Sequence, residues 1–356
     1  ILSLLCTTSV FAMSVDWGGG YRFEYVSVDQ PFLSSQTNRG TKAYFLNHLS
    51  LTPKIIAIDG LNIIANIEAF PSSTYPNSQL GSDFGSNSTV TSYSGGNTQG
   101  STAVEVNQLY MHWNHEYGAM VAGRAPLHFG LGMTHNAGNG LFDHWNQNRD
   151  MVGYKFLIGN LSIMPSIGKT YRSSTTNNTA TEQMWNIEYA NPETESTFSL
   201  LHQIKTSGQS ANDGNLYFLP YFATATATGG WNTTHTNIYF ARGWDSFKYK
   251  MEAGFQSGGT GVSGTAGEIK LSGYGVLISL EFPRPESKFQ YDIKLGVASG
   301  DSNTTNDQFE GYYFSKNYDL AFLLFNHPMG NAGADVLRTK LARQRSTTAA
   351  TVYAND

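Results

Sequence analysis

Apolar and polar side chains alternate along many stretches of this chain. Residues 247–256 carry aromatic or aliphatic side chains at odd positions and Lys, Glu, Gly or Gln at even positions. Residues 289–297 repeat the pattern, with Phe, Tyr, Ile, Leu and Val at the odd positions. Successive side chains of a β-strand point to opposite faces, so this alternation predicts strands with one apolar and one polar face.

The same pattern, followed along the whole chain, predicts fourteen strands. They lie near residues 16–28, 42–58, 61–70, 102–117, 119–131, 151–159, 161–173, 182–191, 196–206, 235–243, 247–257, 267–282, 288–299 and 347–356. A tilted strand needs about 9–11 residues to cross a bilayer, whereas strands of globular proteins average about 5–6. Strand length therefore favours an all-β, transmembrane antiparallel β-barrel over a soluble sandwich.

Two strands change the phase of their alternation. The phase changes between Val106 and Leu109 and again between Leu271 and Tyr274. An extra residue in one strand shifts every later side chain to the other face. We therefore expect β-bulges near Asn107 and near Gly273.

Short and long connectors alternate between the predicted strands. The short ones lie at 59–60, 117–118, 159–160, 191–194, 243–246 and 282–286. The long polar ones lie at 29–41, 71–101, 132–150, 174–181, 207–234, 258–266 and 300–346. Outer-membrane barrels combine short periplasmic turns with long external loops, and aromatic side chains near the short turns, such as Trp113, Tyr117 and Trp244, suit an interfacial girdle.

Composition narrows the class further. Charged residues make up 14 % of the 356 residues, against about 25 % in an average soluble domain. An apolar run of about 20 residues, which a membrane helix needs, is not found, and 13 % aromatic residues argue against disorder. The net charge is −5 without a Lys/Arg-rich run, so nucleic acid is not an expected partner.

The N-terminal residues suggest export. Residues 1–12 are mostly apolar and end in Val10, Phe11 and Ala12, which resembles the end of a secretory signal with cleavage after Ala12. A buried first strand is the alternative. In the first interpretation Cys6 leaves with the signal, and residues 13–356 form one barrel that lacks its C-terminal end. We expect about sixteen strands in the complete barrel, within a range of about fourteen to eighteen.

The polar face of the alternation supplies candidates for the wall of a lumen. The predicted pore-lining residues are Arg22, Glu24, Glu68, Arg124, His128, Lys155, Arg172, Glu188, Lys248, Lys250, Glu252, Asp292 and Lys294. Charges of both signs suit a water-filled lumen that selects by charge. The alternative is that many of them pair across neighbouring strands and stabilise the wall.

Residues 132–150 combine glycines, polar groups and two large aromatic side chains. Such a segment suits a constriction loop that folds into the lumen, and it also suits an ordinary surface loop. The candidate constriction residues are Asn139, Asp143, Arg149 and Asp150.

Motifs for catalysis and metal binding give no candidate. His112 and His115 are three positions apart on a predicted strand, so they point to opposite faces and cannot chelate together. The acidic residues of 301–307 depart from a calcium loop, which needs Gly at its sixth position. Nucleophile-elbow and phosphate-loop patterns are not found. We therefore expect no enzyme activity, no metal and no cofactor.

Two stretches resemble a known family. The first is residues 123–132, GRAPLHFGLG, followed by 139–143 and Asp150. The second is residues 298–303, ASGDSN, continuing to 317–319 and 324–328. Both are similar to stretches of bacterial outer-membrane porins, most of all the alginate-export type, although the strongly cationic pore of that exporter has no counterpart here.

The resemblance implies a porin in the outer membrane through which small hydrophilic solutes and ions diffuse passively. Outer-membrane lipid and these solutes would be its partners, and a trimer is one open oligomeric state. Two alternatives stay open. One is a substrate-selective channel for an acidic polysaccharide or a similar solute, and the other is a structural or surface-interaction barrel.

Overall fold

The computed structural model describes most of the predicted strands. The described residues are 14–29, 41–69, 104–140, 143–144, 147–170, 180–207, 230, 232–263, 267–283, 290–301, 307–315 and 317–318. The proposed signal segment, the last predicted strand at 347–356 and Arg172 lie outside them. A search of these residues finds no helix with the length and apolar character needed to cross a membrane.

The described residues form thirteen long strands, one short strand and a single 3-10 turn, Pro192–Thr194. The strands are β1 (Ser14–Asp29), β2 (Thr41–Ile58), β3 (Leu61–Ala69), β4 (Val104–His115), β5 (Gly118–Pro126), β6 (Asn148–Ile158), β7 (Leu161–Thr170), β8 (Ala180–Asn191), β9 (Ser196–Ser207), β10 (Asn232–Gly243), β11 (Lys248–Ser263), β12 (Glu268–Phe282), β13 (Tyr291–Ala298) and β14 (Gln308–Phe309). The first thirteen predicted strands each have a counterpart here, so the all-β prediction is confirmed.

The strands follow one another in a single sheet. Strands β1 to β13 lie in sequence order and each is antiparallel to the next, while β14 pairs in parallel with β12 beyond the end of β13. Because neighbours are antiparallel, successive connectors emerge at opposite edges of the sheet. We call the edge with the tight turns, such as Asp59–Gly60, the turn edge, and the opposite edge the loop edge.

One connector at the loop edge is shorter than predicted. The sequence predicts a long connector at 258–266, but β11 continues to Ser263, which pairs with Glu268 of β12. A register shift between Gly259 and Ser263 accommodates the extra residues. Gly258 and Gly261 have φ of 122° and 68° there, a region that favours glycine. The glycines therefore mark a bulged strand end rather than a long loop.

The two predicted bulges have different outcomes. Between β3 and β4, Asn66 pairs with Gln108 and Ile67 with Val106, so Asn107 is the extra residue and that bulge is confirmed. The register of β11 and β12 runs without a shift through Gly273, so the second prediction is wrong. Ile269 and Leu271 are buried on the same face as the polar side chains of β11, and Leu271 pairs with buried Phe309. Local apolar packing, not a bulge, causes that change of phase.

The sheet carries its polar side chains on the covered face. Glu68, Glu182 and Glu252 have no exposed surface, whereas Val152, Leu295 and Val297 on the other face are 55–62 % exposed. We call these the inner face and the outer face. A soluble protein places apolar side chains inside and charges outside, so this distribution is the reverse of that of a soluble domain.

The inner face is concave. Residues 127–147, which connect β5 to β6, contact strands that are far apart in the sheet. Arg22 of β1 donates from Nη1 to the carbonyl oxygen of Asp143 at 2.8 Å, and Glu252 of β11 accepts from the backbone N–H of Leu131 at 2.8 Å. One short segment can reach both strands because the sheet curves around it.

Candidate functional site

Residues 127–147, of which 141, 142, 145 and 146 are not described, form a compact loop against the inner face. We call it the inner segment. The N–H of Leu127 donates to the carbonyl of Gln147 at 2.9 Å, so its two ends meet, and Phe129 donates to the carbonyl of His135 at 3.0 Å. Gly130 and Gly132 have φ of 55° and 78° and allow the tight turn between these contacts.

Glu252 of β11 holds the inner segment to the wall. Its Oε2 atom accepts the backbone N–H groups of Leu131 and Met133 at 2.8 and 3.1 Å. Asn237 of β10 donates from Nδ2 to Glu252 Oε1 at 3.4 Å and to Thr134 Oγ1 at 2.6 Å. Glu252 thus accepts three hydrogen bonds in a buried place, two of them from the backbone of the inner segment. We call this contact the Glu252 anchor.

A second segment lies beside the inner segment. Tyr312 is buried with its hydroxyl 2.5 Å from Thr134 Oγ1. Its ring fills the space above Gly254 and Gly275, where any Cβ atom would collide with it. Burial raises the pKa of the Tyr312 hydroxyl to about 12, so the group stays protonated at neutral pH. Residues 310–315 therefore form a second layer over the inner face of β11 and β12.

A later part of the inner segment, at Asp143 and His144, contacts β1. Glu24 accepts from Arg22 Nε at 2.8 Å and lies 2.9 Å from His144 Nε2. Arg22 also donates to the carbonyl of Asp143 at 2.8 Å. The backbone N–H of His144 donates to Asn317 Oδ1 at 3.1 Å. The inner segment is thus held at β1 as well as at β11, on two sides of the concave face.

Strands β6, β8 and β9 bring a buried group of charges together on the inner face near the loop edge. Glu182 accepts from Arg149 Nε at 2.9 Å and from Gln203 Nε2 at 3.0 Å, and it lies 3.4 Å from Lys205 Nζ. We call this set the Glu182 cluster. A buried carboxylate needs paired charges and hydrogen bonds, and this one has both.

His135 of the inner segment lies close to the Glu182 cluster. Its Nδ1 atom is 3.2 Å from Gln147 Oε1. Burial lowers its pKa well below the ordinary value, and the positive charges of Arg149 and Lys205 lower it further. The imidazole is therefore neutral at physiological pH and adds no third positive charge to the cluster.

Apolar side chains fill part of the inner face under the inner segment. Ala125, Phe129, Met151, Met184 and Leu201 form one buried cluster. Ala125 of β5 faces inward, so its neighbour Arg124, which the sequence predicts to line the lumen, is on the other face and that prediction is wrong. Phe129 belongs to the inner segment, so the strand residues beneath it are apolar.

Arg124 lies on the outer face instead. It is the register partner of Asp150, and its Nε atom lies 2.7 Å from Asp150 Oδ1. The pair sits at the loop edge, where a charged pair can stay in contact with water. His128 is part of the inner segment and not of a strand, and its Nδ1 atom accepts the N–H of Ala137 at 3.4 Å.

The candidate constriction residues divide into two groups. Arg149 and Asp150 belong to β6, so their assignment to a loop is wrong. Asn139 and Asp143 do belong to the inner segment: Asn139 accepts from Gln108 at 3.4 Å, and the Asp143 carboxylate accepts the N–H of Gly140 at 2.8 Å.

Six further predicted lining residues lie on the inner face toward the turn edge: Lys155, Glu188, Lys248, Lys250, Asp292 and Lys294. Glu68 lies on the inner face at the loop-edge end of β3. The closest approaches are Lys155 Nζ to Glu188 Oε1 at 4.0 Å, Lys248 Nζ to Glu195 Oε2 at 3.3 Å and Lys250 Nζ to Glu281 Oε1 at 2.5 Å. Asp292 and Lys294 form no such pair in these contacts: the register partner of Asp292 is another carboxylate, Glu281, and Lys294 lies over the Tyr318 ring at 5.8 Å. Cross-strand pairing, the alternative considered for these residues, therefore accounts for several of them.

The sequence pattern missed three members of the Glu182 cluster, namely Glu182, Gln203 and Lys205. They share the inner face with Met184 and Leu201, so polar and apolar side chains are mixed on that face. Alternation therefore does not identify it as a lumen face. Opposite charges at register partners, here Glu182 and Lys205, are the signal that could have found them.

Comparisons with known proteins find weak structural similarities. No family model matches the chain, and no curated protein matches it. The outer-membrane channel DcaP of Acinetobacter baumannii matches with a TM-score of 0.46 and 12 % identity, covering 80 % of this chain and 78 % of that one. OpdK of Pseudomonas aeruginosa, solved with vanillate, gives 0.37 and 8 %, covering 76 % and 78 %. A BenF-like porin from Pseudomonas fluorescens gives 0.35 and 6 %, covering 81 % and 94 %.

Similarities of this strength do not assign a function.

Proposed function

We propose that this protein is a channel of the bacterial outer membrane through which small hydrophilic solutes and ions diffuse passively. The observation that carries the proposal is the reversed sheet: a concave face with buried charges and an outer face with exposed aliphatic and aromatic side chains. Apolar surface of this kind suits contact with lipid, and a polar interior suits water and ions. The resemblance to alginate-export barrels stays a prediction.

The inner segment favours a narrow passage over a wide one. It is held at Glu252 on one side and at Glu24 on another, so it occupies part of the concave space. A loop fixed inside a barrel reduces the cross-section and brings solutes close to charged side chains. Selection would therefore depend on size and on local charge, which supports a selective channel as the second candidate function.

The proposed channel is tested by single-channel recording in planar bilayers. We expect discrete conductance steps that scale linearly with voltage and with salt concentration. A small conductance that one solute class blocks would favour the selective channel. A protein that inserts, as shown by heat-modifiable gel mobility, and yet gives no conductance would overturn both in favour of a structural barrel.

Lysines on the inner face of β11 are expected to influence ion selectivity. We expect the double variant Lys248→Glu, Lys250→Glu to shift the reversal potential in a salt gradient toward cations. Both side chains are partly exposed, and their ion pairs contribute about 0–1 kcal/mol each, so the fold should persist.

The matched control for this variant is Lys270→Glu, because Lys270 lies on the outer face of β12. It should leave the reversal potential unchanged. An unchanged reversal potential in the double variant would mean that ions do not pass Lys248 and Lys250.

A further inference from the structure

Strands β2 and β3 carry a buried carboxylate with unusual surroundings. Glu68 is fully buried on the inner face, and neither of its carboxylate oxygens has a hydrogen-bond partner among the described residues. His48 of β2 is 5 % exposed, and its Nε2 atom is likewise without a hydrogen bond in the described part of the chain. A buried ionised carboxylate is costly unless a cation or hydrogen-bond donors compensate it.

The distance between the two side chains suggests what compensates them. His48 Nε2 lies 3.4 Å from Glu68 Oε2. A charge-assisted hydrogen bond between them would be about 2.7–2.9 Å long. Two ligands of one tetrahedral ion, each bonded at about 2.0–2.1 Å, are separated by about 3.3–3.4 Å. The observed distance fits a shared metal ion better than a direct hydrogen bond.

Other side chains with oxygen atoms lie on the same face as Glu68. Asn66 is two residues before Glu68 and shares its face; it donates from Nδ2 to Ser50 Oγ at 3.1 Å, and Ser50 is the register partner of Glu68. The Asn66 Oδ1 atom is buried without a hydrogen-bond partner in the described residues. Glu105 of β4 pairs in register with Glu68, which places two carboxylates opposite each other. Like charges in this position are destabilising unless a cation lies close to them.

Arg22 is a positive charge that acts electrostatically on Glu68. It is the register partner of His48, and it binds Glu24 at 2.8 Å and the Asp143 carbonyl at 2.8 Å. Neither Glu68 oxygen accepts a hydrogen bond from it. Three carboxylates, those of Glu24, Glu68 and Glu105, outnumber this one guanidinium group, so this part of the inner face has an excess of acidic side chains.

We propose that His48 Nε2 and Glu68 Oε2 bind a divalent transition-metal cation of the Zn²⁺ type. Imidazole nitrogen with carboxylate oxygen is a donor set that Zn²⁺ accepts. No group of three or more His, Cys, Asp or Glu side chains is arranged as a metal site in the described ranges. The proposed site therefore has two protein ligands of these types among the described residues. The site does not depend on the proposed channel activity.

Isothermal titration of the folded, tag-free protein in detergent with ZnCl₂ tests the site. We expect binding that weakens about tenfold or more in His48→Gln and in Glu68→Gln, because each removes one direct ligand. His202→Gln is the control, since His202 contacts Thr236 on the outer face and is not near Glu68. It should bind Zn²⁺ as the unchanged protein does. Heat-modifiable gel mobility shows that each variant is folded.

A parallel titration with CaCl₂ distinguishes a site that needs the His48 imidazole from one formed by carboxylates only. Ca²⁺ prefers oxygen ligands, so any Ca²⁺ binding should not respond to His48→Gln. The proposal is overturned if Zn²⁺ does not bind at millimolar concentration, or if His48→Gln leaves the Zn²⁺ affinity unchanged. Should Glu68→Gln fail to fold, the His48→Gln titration decides alone.

Discussion

Replacing Glu182 by glutamine is expected to reduce the stability of the folded protein by about 3–5 kcal/mol, the usual cost of removing one partner from a buried ion pair. Glu182 is fully buried and is the carboxylate that binds both Arg149 and Lys205. The glutamine has nearly the same size, so packing is preserved and the loss is electrostatic. Two buried positive charges would then lie close together without the carboxylate that now separates them.

The measurement is urea unfolding in detergent, followed by the gel mobility of folded and unfolded forms. Glu188→Gln is the matched control, because Glu188 is also on β8 and faces inward but is 40 % exposed and lies 4.0 Å from its lysine. Its effect should stay below about 1 kcal/mol. Adding Lys205→Met to Glu182→Gln should recover part of the loss. Equal effects of the two glutamine variants would contradict the buried cluster.

The strands could be predicted because every second residue, on the outer face, is usually apolar. In β13, for example, Leu295 and Val297 both face outward. Because such residues recur along a whole strand, the alternation is strong and predicts where the strand begins and ends. The polar face is less restricted, since a side chain on the inner face can meet water, a charge or the inner segment. Met184 and Leu201 are apolar there because they lie under Phe129.

For a related reason the sequence left two interpretations open for the inner segment, a loop folded into the lumen and an ordinary surface loop. Its contacts are distant along the chain: Leu131 and Glu252 are separated by 121 positions. The alternation of side chains and the turn residues predict local structure only, so they do not predict a contact between residues this far apart. Arg124 shows the same limit, because the alternation separates two faces without showing which face is covered, and the buried apolar cluster reverses the expected choice in β5.

Replacing Glu252 by glutamine is expected to release the inner segment while leaving the strands paired. In the unchanged protein one carboxylate oxygen accepts the N–H groups of both Leu131 and Met133. Glutamine turns one acceptor oxygen into a donor NH₂ group, which would face backbone N–H groups or the Asn237 amide. An unsatisfied buried donor costs about 1–3 kcal/mol, and the strand ladder provides no replacement acceptor.

Hydrogen exchange measured by mass spectrometry tests the Glu252 anchor directly. A loss of 1–3 kcal/mol, as estimated for one such donor, corresponds to about 5- to 150-fold faster exchange of the Leu131 and Met133 amides. The acceleration should be confined to peptides of the inner segment, because β11 keeps its backbone pairing with β10 and β12. In bilayers we expect a larger or noisier conductance, since a released segment would no longer hold a fixed cross-section. Glu188→Gln should leave the exchange of these amides unchanged. Unaltered protection of the inner segment in Glu252→Gln would show that other contacts hold it.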